Sequence, residues 1–421
     1  MTRLDSGLRV VSETMPGLRS VALSVMMGVG SRNEDDPQAG LSHFLEHLLF
    51  KGTDRFSSLE IDQLFDGMGA EINAGTDKET TTVYARFLDR HLDRAFDVIS
   101  DMVLRSTYPD IDSERQVVIE EIAMYEDEPS DKVHDVLARG VFGDSGLGKP
   151  IIGKADVIAN VSVEEIAAYH DKQYVAGNIV VAAAGNVEHD RLVELAKSAG
   201  FDKDAPAPAF DPAPVKIAPT VNFWTKETEQ VHIALGARGI PRGDDRRFAL
   251  RLLDTILGGS TSSRLFQEVR EKRGLAYSVY SYSGSFRDAG HIGMYVGTRP
   301  DRVGEALETI GNELHKFTEF SATDDELSRA KENAKGRVAL AMESPAGRMG
   351  LLASSTLFEI PILTLDEIER KIDQVTIEQI GDLARELYDP TNFSAAAVGA
   401  DEDAFRVALT TLNPDLVGAT A

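Results

Sequence analysis

The chain has 421 residues, of which 42% are hydrophobic and 27% charged, so its composition is that of a globular protein with two or more domains and excludes a disordered chain. It contains no cysteine, which excludes disulfides and thiolate ligands and leaves His, Asp and Glu as the only side chains able to hold a metal ion. The formal charge of −25 argues against nucleic acid and anionic membranes as partners.

The amino terminus and the hydropathy of the chain bear on its location. Residues 1–7 show neither the basic-then-apolar pattern of a secretory signal nor the Arg/Ser-rich pattern of an organelle presequence. No segment approaches the roughly 20 consecutive apolar residues of a membrane span. We therefore expect a cytoplasmic protein, although a mature chain whose presequence had been removed would begin in the same way.

Apolar periodicity predicts helices and strands in mixed order along the chain. Alternating or continuous apolar runs predict strands at 21–29, 81–87, 179–184 and 231–235. Helical spacing predicts helices at 38–52, 58–68, 90–105 and 111–127. This mixture predicts an α+β fold in which helices pack against a mostly antiparallel sheet in each domain.

The first of these helices carries a short pattern typical of metallopeptidases. His43 and His47 are four residues apart, so a helix places both imidazoles on one side, where they could bind one metal ion. Glu46 lies near the same face and could take a proton from a metal-bound water. The order H-x-x-E-H is the inverted zincin signature, although a polar stripe on an amphipathic helix would show the same letters.

A catalytic zinc ion usually has three protein ligands, so a third must lie elsewhere. The acidic helix at 111–127 provides candidates, because Glu114 and Glu121 fall on one side at helical intervals. Spacing alone does not choose between Glu121 and the adjacent Glu120. A solvated acidic helix is the alternative interpretation.

A repeated pattern divides the chain into two halves. The motif that begins at Val161 recurs at Val375 with nine matches, each 214 positions apart, which indicates a duplicated domain. The Pro- and Ala-rich stretch between the halves predicts an extended linker. We therefore predict a zinc-binding catalytic domain at 1–200, a linker at 201–217 and a homologous domain without metal at 218–421.

Together these motifs resemble the pitrilysin and insulin-degrading metallopeptidase family, most closely the branch of mitochondrial processing peptidase and its bacterial relatives. The resemblance rests on His43-x-x-Glu46-His47, on Glu121 74 positions after His47, and on Glu114 seven before Glu121. It implies one Zn²⁺ per chain held by His43, His47 and Glu121, with Glu46 as general base and Glu114 as a supporting carboxylate. It also favours a bacterial origin.

The resemblance extends to the second half of the chain. Position 335, which is 214 beyond Glu121, is Lys335, and no second H-x-x-E-H follows residue 200, so the second copy is not expected to bind metal. Arg270 and Tyr277 match the spacing of a family pair that holds the substrate carbonyl, a role that a guanidinium and a phenol could fill. An ordinary surface arginine and a tyrosine at the start of a strand could show the same spacing.

Two further segments are expected to contact substrate. Asn73 and Ala74 match the family's edge strand, which pairs with an extended peptide by strand addition. Asp131 and Asp135 match acidic positions that receive arginine near the cleavage site in processing peptidases. An ordinary edge strand and a solvated helix surface are the respective alternatives.

These patterns predict a zinc endopeptidase that cleaves peptides or unfolded, presequence-like segments by attack of a metal-bound water. The expected partners are peptide substrates, with basic peptides among them. The family's half-size chains pair, so we expect a homodimer, or a heterodimer with an inactive paralogue. A non-catalytic structural subunit of a processing-peptidase-like complex is the principal alternative, and a zinc hydrolase that acts on something other than peptides is a third.

Overall fold

The computed structural model describes residues 1–201, 207–209, 212–214 and 217–418. Much of the predicted linker at 201–217 therefore lies outside the described residues. The chain forms two compact units, each assembled from segments that are distant in sequence. The first unit comprises Met1–Ala123, Lys149–Asp211 and Ala339–Leu363, and the second comprises Met124–Gly148, Pro212–Val338 and Thr364–Ala421.

Helices and strands alternate along both units, as the apolar periodicity predicts. The strands are β1 Thr2–Arg3, β2 Arg9–Thr14, β3 Ser20–Met27, β4 Glu71–Thr76, β5 Thr81–Leu88, β6 Ile179–Gly185, β7 Val221–Thr225, β8 Val231–Gly239, β9 Ala276–Ser285, β10 Gly290–Thr298 and β11 Ser394–Gly399. The helices are α1 Leu41–Leu48, α2 Ser58–Met68, α3 Leu92–Leu104, α4 Ile111–Asp127, α5 Pro129–Phe142, α6 Ala155–Asn160, α7 Val163–Gln173, α8 His189–Ser198, α9 Arg247–Leu257, α10 Val303–Phe320, α11 Asp324–Glu343, α12 Pro345–Leu357, α13 Leu365–Asp373, α14 Ile377–Leu387 and α15 Glu402–Leu409.

Each unit is built on one mixed sheet. Over the described residues, the first sheet has the strand order β1-β2-β6-β3-β5-β4 and the second has the order β7-β11-β8-β10-β9. In the first sheet β2 and β6 are parallel, and in the second β7 and β11 are parallel. The remaining neighbours are antiparallel, which confirms the predicted α+β fold with mostly antiparallel sheets.

The two sheets repeat one topology. Without β1, the order β2-β6-β3-β5-β4 corresponds strand for strand to β7-β11-β8-β10-β9, including the single parallel pair. The repeat extends to local chemistry: the capping box of Ser162 and Glu165 that begins α7 recurs 214 positions later as Thr376 and Gln379 at the start of α14. The shared topology and caps fit the predicted duplication.

The compact units do not follow the predicted linear division, because each takes in a helix from the other half of the sequence. Helix α5 lies in the second unit, where it packs on β8 and β11, and α12 lies in the first unit, where it packs on β3 and β6. The physical reason is burial on both faces of the central strands. The boundaries at 1–200 and 218–421 stay a prediction about the duplicated segments, while the packing exchanges α5 and α12.

The central strands β6 and β11 show what the exchanged helices contribute. All residues of both strands are buried, which requires cover on both faces of each sheet. In β6, Val181 and Ala183 face the main core, whereas Ala182 and Ala184 face Leu352 and other apolar residues of α12. The small alanine side chains let the covering helix approach the sheet closely.

Candidate active site

Helix α1, which carries His43, Glu46 and His47, is fixed at its amino end by a carboxylate distant in sequence. Gly40 precedes the helix with a φ of 99°, a conformation that favours glycine, and has no side chain with which to cap it. The buried Glu34 supplies the missing acceptor: its two oxygens accept from the backbone N–H groups of Gly40 and Ser42, each at 2.7 Å. The H-x-x-E-H pattern therefore lies on a helix whose first residue is fixed by a tertiary contact.

His43, His47 and Glu121 converge on one point. In the described part of the chain they form the group of His and carboxylate side chains able to hold a metal, with their ligand atoms within 4.8 Å of one another. Glu121 Oε2 lies 3.4 Å from His47 Nε2 and 3.7 Å from His43 Nε2. Tetrahedral zinc with bonds of about 2.0–2.1 Å would separate its ligand atoms by about 3.3 Å, so this group fits zinc.

Helix α4 decides which carboxylate reaches the histidines. Its buried positions, Glu114, Val118 and Ile122, face the unit's interior, and Glu121 lies at the margin of that face. Glu120 is exposed to solvent and takes no part in the cluster. The structure thus distinguishes two neighbours that spacing left equivalent.

The two histidines differ in whether the Nδ1 atom of the ring has a hydrogen-bond partner. His47 Nδ1 lies 2.8 Å from Glu114 Oε1, so the imidazole is oriented by a buried carboxylate. His43 Nδ1 is buried without a hydrogen-bond partner among the described residues. Burial lowers the pKa of His43 to about 4, and the neighbouring His47 acts in the same direction. His43 is therefore neutral near pH 7, as a metal ligand must be.

Glu46 is placed beside this cluster and is held by Thr76 at the end of β4. The side chain and the backbone of Thr76 lie close enough to the Glu46 carboxyl group to lower its pKa. Burial raises the pKa of Glu46, Glu121 raises it further, and Thr76 and His47 oppose the rise. A carboxylate with a raised pKa is a better proton acceptor, which suits a general base.

Strand β4, where Asn73 and Ala74 lie, is the last strand of the first sheet and packs beside α1. It pairs with β5 on one side. Ala74 leans on the apolar core while Asn73 is exposed. An edge strand next to the candidate metal ligands has the geometry that strand addition requires, and the roles of Asn73 and Ala74 stay predictions.

Arg270 and Tyr277 lie in the second unit and contact each other. Arg270 is in a π-helical turn at Phe266–Glu271, and its Nη1 donates to the backbone oxygen of Tyr277 at 3.2 Å. The guanidinium lies 4.5 Å from the centre of the Tyr277 ring, and the Tyr277 residue is 78% exposed. The structure therefore pairs the two residues, and their action on substrate stays a prediction.

Asp131 and Asp135 also belong to the second unit, on α5. Asp131 is exposed in the first turn of the helix, and Asp135 is partly buried one turn later. Both lie near Tyr125, and together with burial they raise the pKa of its phenol. Their role as receivers of basic side chains stays a prediction.

The fold and this cluster are those of a zinc-peptidase family, and comparison with known proteins identifies it. The family model described as insulinase (peptidase family M16) matches residues 9–155, and that described as peptidase M16 inactive domain matches residues 160–334. An uncharacterized zinc protease of Streptomyces coelicolor is 42% identical over 396 residues, 92% of this chain and 86% of that protein. An uncharacterized zinc protease of Bacillus subtilis is 39% identical, with 91% and 94% covered.

The chain therefore belongs to the insulinase, or M16, family of peptidases. This confirms the predicted resemblance to the pitrilysin and insulin-degrading family, and the relatives' names support a zinc protease. Assignment to the processing-peptidase branch stays a prediction.

Solved structures support the fold. A protease from Helicobacter pylori matches with a TM-score of 0.89 at 24% identity, covering 94% of this chain and 98% of that one. A peptidase M16 inactive domain from Pseudomonas fluorescens matches with a TM-score of 0.88 at 22% identity, covering 94% and 96%.

None of the helices in the described ranges is long and apolar enough to cross a membrane.

Three residues that support the site or the helix that carries it were not predicted from the sequence. Lys51 lies against Glu114, Thr76 holds Glu46, and Glu34 caps α1. Lys51 could have been found, because it continues the four-residue spacing of His43 and His47. Thr76 and Glu34 are brought in by tertiary structure and show no such pattern.

Proposed function

We propose that this protein is a zinc-dependent endopeptidase that cleaves peptides or unfolded, presequence-like segments. The observation that carries the proposal is the convergence of His43, His47 and Glu121 on one point, with Glu46 beside them. Zinc held there would supply Lewis-acid chemistry and lower the pKa of a bound water.

The remaining work falls to the chain's own residues. Glu46 accepts a proton as the peptide carbonyl is attacked, and the same carboxyl group can return that proton to the leaving amine. Thr76, which lies beside Glu46 and favours its ionised form, is proposed to keep that carboxylate in place during both transfers. Arg270 and Tyr277 are proposed to donate hydrogen bonds to the carbonyl oxygen as its charge develops.

Substrate binding is proposed to begin at the edge of the first sheet. An extended peptide pairs with β4 at Asn73 and Ala74 through main-chain hydrogen bonds that do not depend on sequence. Asp131 and Asp135 are proposed to add a preference for basic side chains. A homodimer, or a heterodimer with an inactive paralogue, is the proposed assembly, and one zinc ion per chain is the proposed stoichiometry.

The test compares carboxylates that differ in position but not in chemistry. Glu46→Gln is expected to keep its zinc and to lose at least about 100-fold in kcat on a long, arginine-containing peptide, because only the proton acceptor is removed. Glu121→Gln is expected to lose zinc affinity. Glu120→Gln is the matched control, since it makes the same change on the exposed neighbour, and it should retain zinc and activity.

Zinc content and peptide cleavage are measured side by side for all four proteins. A wild-type chain that binds no zinc, or a Glu46→Gln variant that cleaves as fast as wild type, would contradict the proposal. That result would favour a non-catalytic partner subunit of a processing-peptidase-like complex.

A further inference from the structure

A lysine just beyond the end of α1 contacts Glu114, the carboxylate that supports the cluster of His43, His47 and Glu121. Lys51 Nζ lies 2.6 Å from Glu114 Oε2, and Glu114 Oε1 lies 2.8 Å from His47 Nδ1. Lys51 follows His47 by four residues, and backbone turns at Phe50 and Lys51 continue the helical path beyond Leu48. One carboxylate therefore joins the ammonium group to the imidazole.

The surroundings of Glu114 make this contact consequential. The side chain of Glu114 is only 8% exposed, and a buried carboxylate is costly unless both of its oxygens have partners. His47 occupies one oxygen and Lys51 the other, so the plane of the carboxylate is fixed from two sides. Because a carboxylate only accepts hydrogen bonds, His47 Nδ1 donates to Glu114, and His47 Nε2 is the nitrogen that faces Glu121.

The other histidine has no comparable support. His43 Nδ1 finds no hydrogen-bond partner within the described residues, so the cluster is oriented from outside through His47. Outer partners of metal-binding histidines typically change metal affinity or activity by about 10- to 100-fold when removed. Loss of the contact that holds Glu114 is therefore expected to weaken metal binding.

We propose that Lys51 is a positioning residue of the zinc site, which acts through Glu114 to fix the orientation and tautomer of His47. This inference rests on the proposed function for the identity of the metal. It assigns to Lys51 no contact with substrate. The consequence is that Lys51 tunes zinc affinity more than it tunes peptide binding.

The test replaces the ammonium group and then restores it. Lys51→Met keeps the length of the side chain without its charge, and Lys172→Met is the matched control on an exposed lysine of α7. Because the chain has no cysteine, Lys51→Cys introduces a single thiol, which 2-bromoethylamine converts to a lysine analogue. Zinc Kd is measured by competition with a chelator, kcat and KM are measured at saturating zinc, and thermal unfolding of each metal-free protein monitors folding.

We expect Lys51→Met to weaken zinc binding about 10-fold, at the lower end for an outer partner, with KM for the peptide unchanged. Aminoethylated Lys51→Cys should regain the wild-type Kd, and Lys172→Met should not differ from wild type. In a Glu114→Gln background, Lys51→Met should add no further loss, because the two residues act through one contact.

Several results would overturn the assignment. These are a wild-type Kd in Lys51→Met, a loss that aminoethylation does not repair, or losses that add fully to those of Glu114→Gln. If wild type binds zinc and cleaves while Lys51→Met equals it, only the role of Lys51 fails. If wild type binds no zinc, the proposed function fails and the role of Lys51 fails with it.

Discussion

Glu34, which caps α1, should make the free energy of unfolding fall as the pH rises from 4.5 to about 7. Glu34 is 4% exposed, and its oxygens accept from two backbone N–H groups at the start of the helix. Burial raises the pKa of Glu34 from 4.5 to about 7, and the N–H groups of Gly40 and Ser42, together with Lys78, only partly oppose the rise. The native protein should therefore hold this proton at a pH where the unfolded chain has lost it.

The sign and size follow from proton linkage. Below pH 4.5 the carboxyl is protonated in both states, and the full stability is present. As the pH rises from 4.5 to about 7, the unfolded chain ionises first, so the free energy of unfolding falls. At about 1.36 kcal/mol for each pH unit between the two pKa values, the loss is roughly 3 kcal/mol and is complete above pH 7.

Urea unfolding of the metal-free protein from pH 4.5 to 8 measures this effect. Glu34→Gln removes the titrating group, so the free energy of unfolding of wild type, relative to that of Glu34→Gln, should fall by roughly 3 kcal/mol over this range. Glu164→Gln, on an exposed residue of α7, is the control and should parallel wild type. Parallel curves for wild type and Glu34→Gln would refute the reasoning, since they would show that the helix N–H groups keep Glu34 ionised throughout.

Three further predictions concern packing and the metal. Phe44→Ala should destabilise the protein by about 3–5 kcal/mol in urea unfolding, because this ring on α1 is fully buried; a loss below 1 kcal/mol would contradict the packing. Tyr282→Phe should cost about 1 kcal/mol by the same assay, because its hydroxyl contacts His134 Nδ1 at 2.9 Å, whereas Tyr84→Phe on an exposed tyrosine should cost less. Chelation of zinc should leave the far-UV circular dichroism unchanged, because the apolar cores of the two units, over the described residues, do not include His43, His47 or Glu121; loss of helical signal would show otherwise.

Local signals in the sequence predicted the helices and strands well where those signals decide the ends. Helix α2 begins and ends as predicted at Ser58–Met68, because Ser57 and Glu60 form a capping box and Gly69 takes the left-handed conformation at the other end. Helix α1 is shorter than the predicted 38–52. Its start is set by Glu34 through tertiary contact, and the apolar pattern beyond Leu48 continues through turns that are no longer α-helical.

Part of the site could also be predicted from the sequence, because local spacing decides it. A spacing of four places His43 and His47 on one side of a helix whatever else the chain does. Choosing Glu121 over Glu120 required the packing of α4, because only that packing shows which of the two side chains points toward the histidines of α1. The exchange of α5 and α12 was also out of reach, since an amphipathic helix shows that a face is buried but not which sheet buries it.

The second copy of the fold shows that the fold does not depend on the cluster of His43, His47 and Glu121. Helix α11 corresponds to α4, and Lys335 stands where the 214-residue offset places the equivalent of Glu121. Its ammonium group pairs with Glu332 at 2.6 Å and with Asp373 at 3.0 Å, so this helix face has become an ion-pair surface. The second unit nevertheless keeps the strand order, the parallel pair and the capping box of the first. A fold that persists with a lysine at this position does not need the ligand for its stability. The histidines and carboxylates of the first unit are therefore best explained by chemistry rather than by folding.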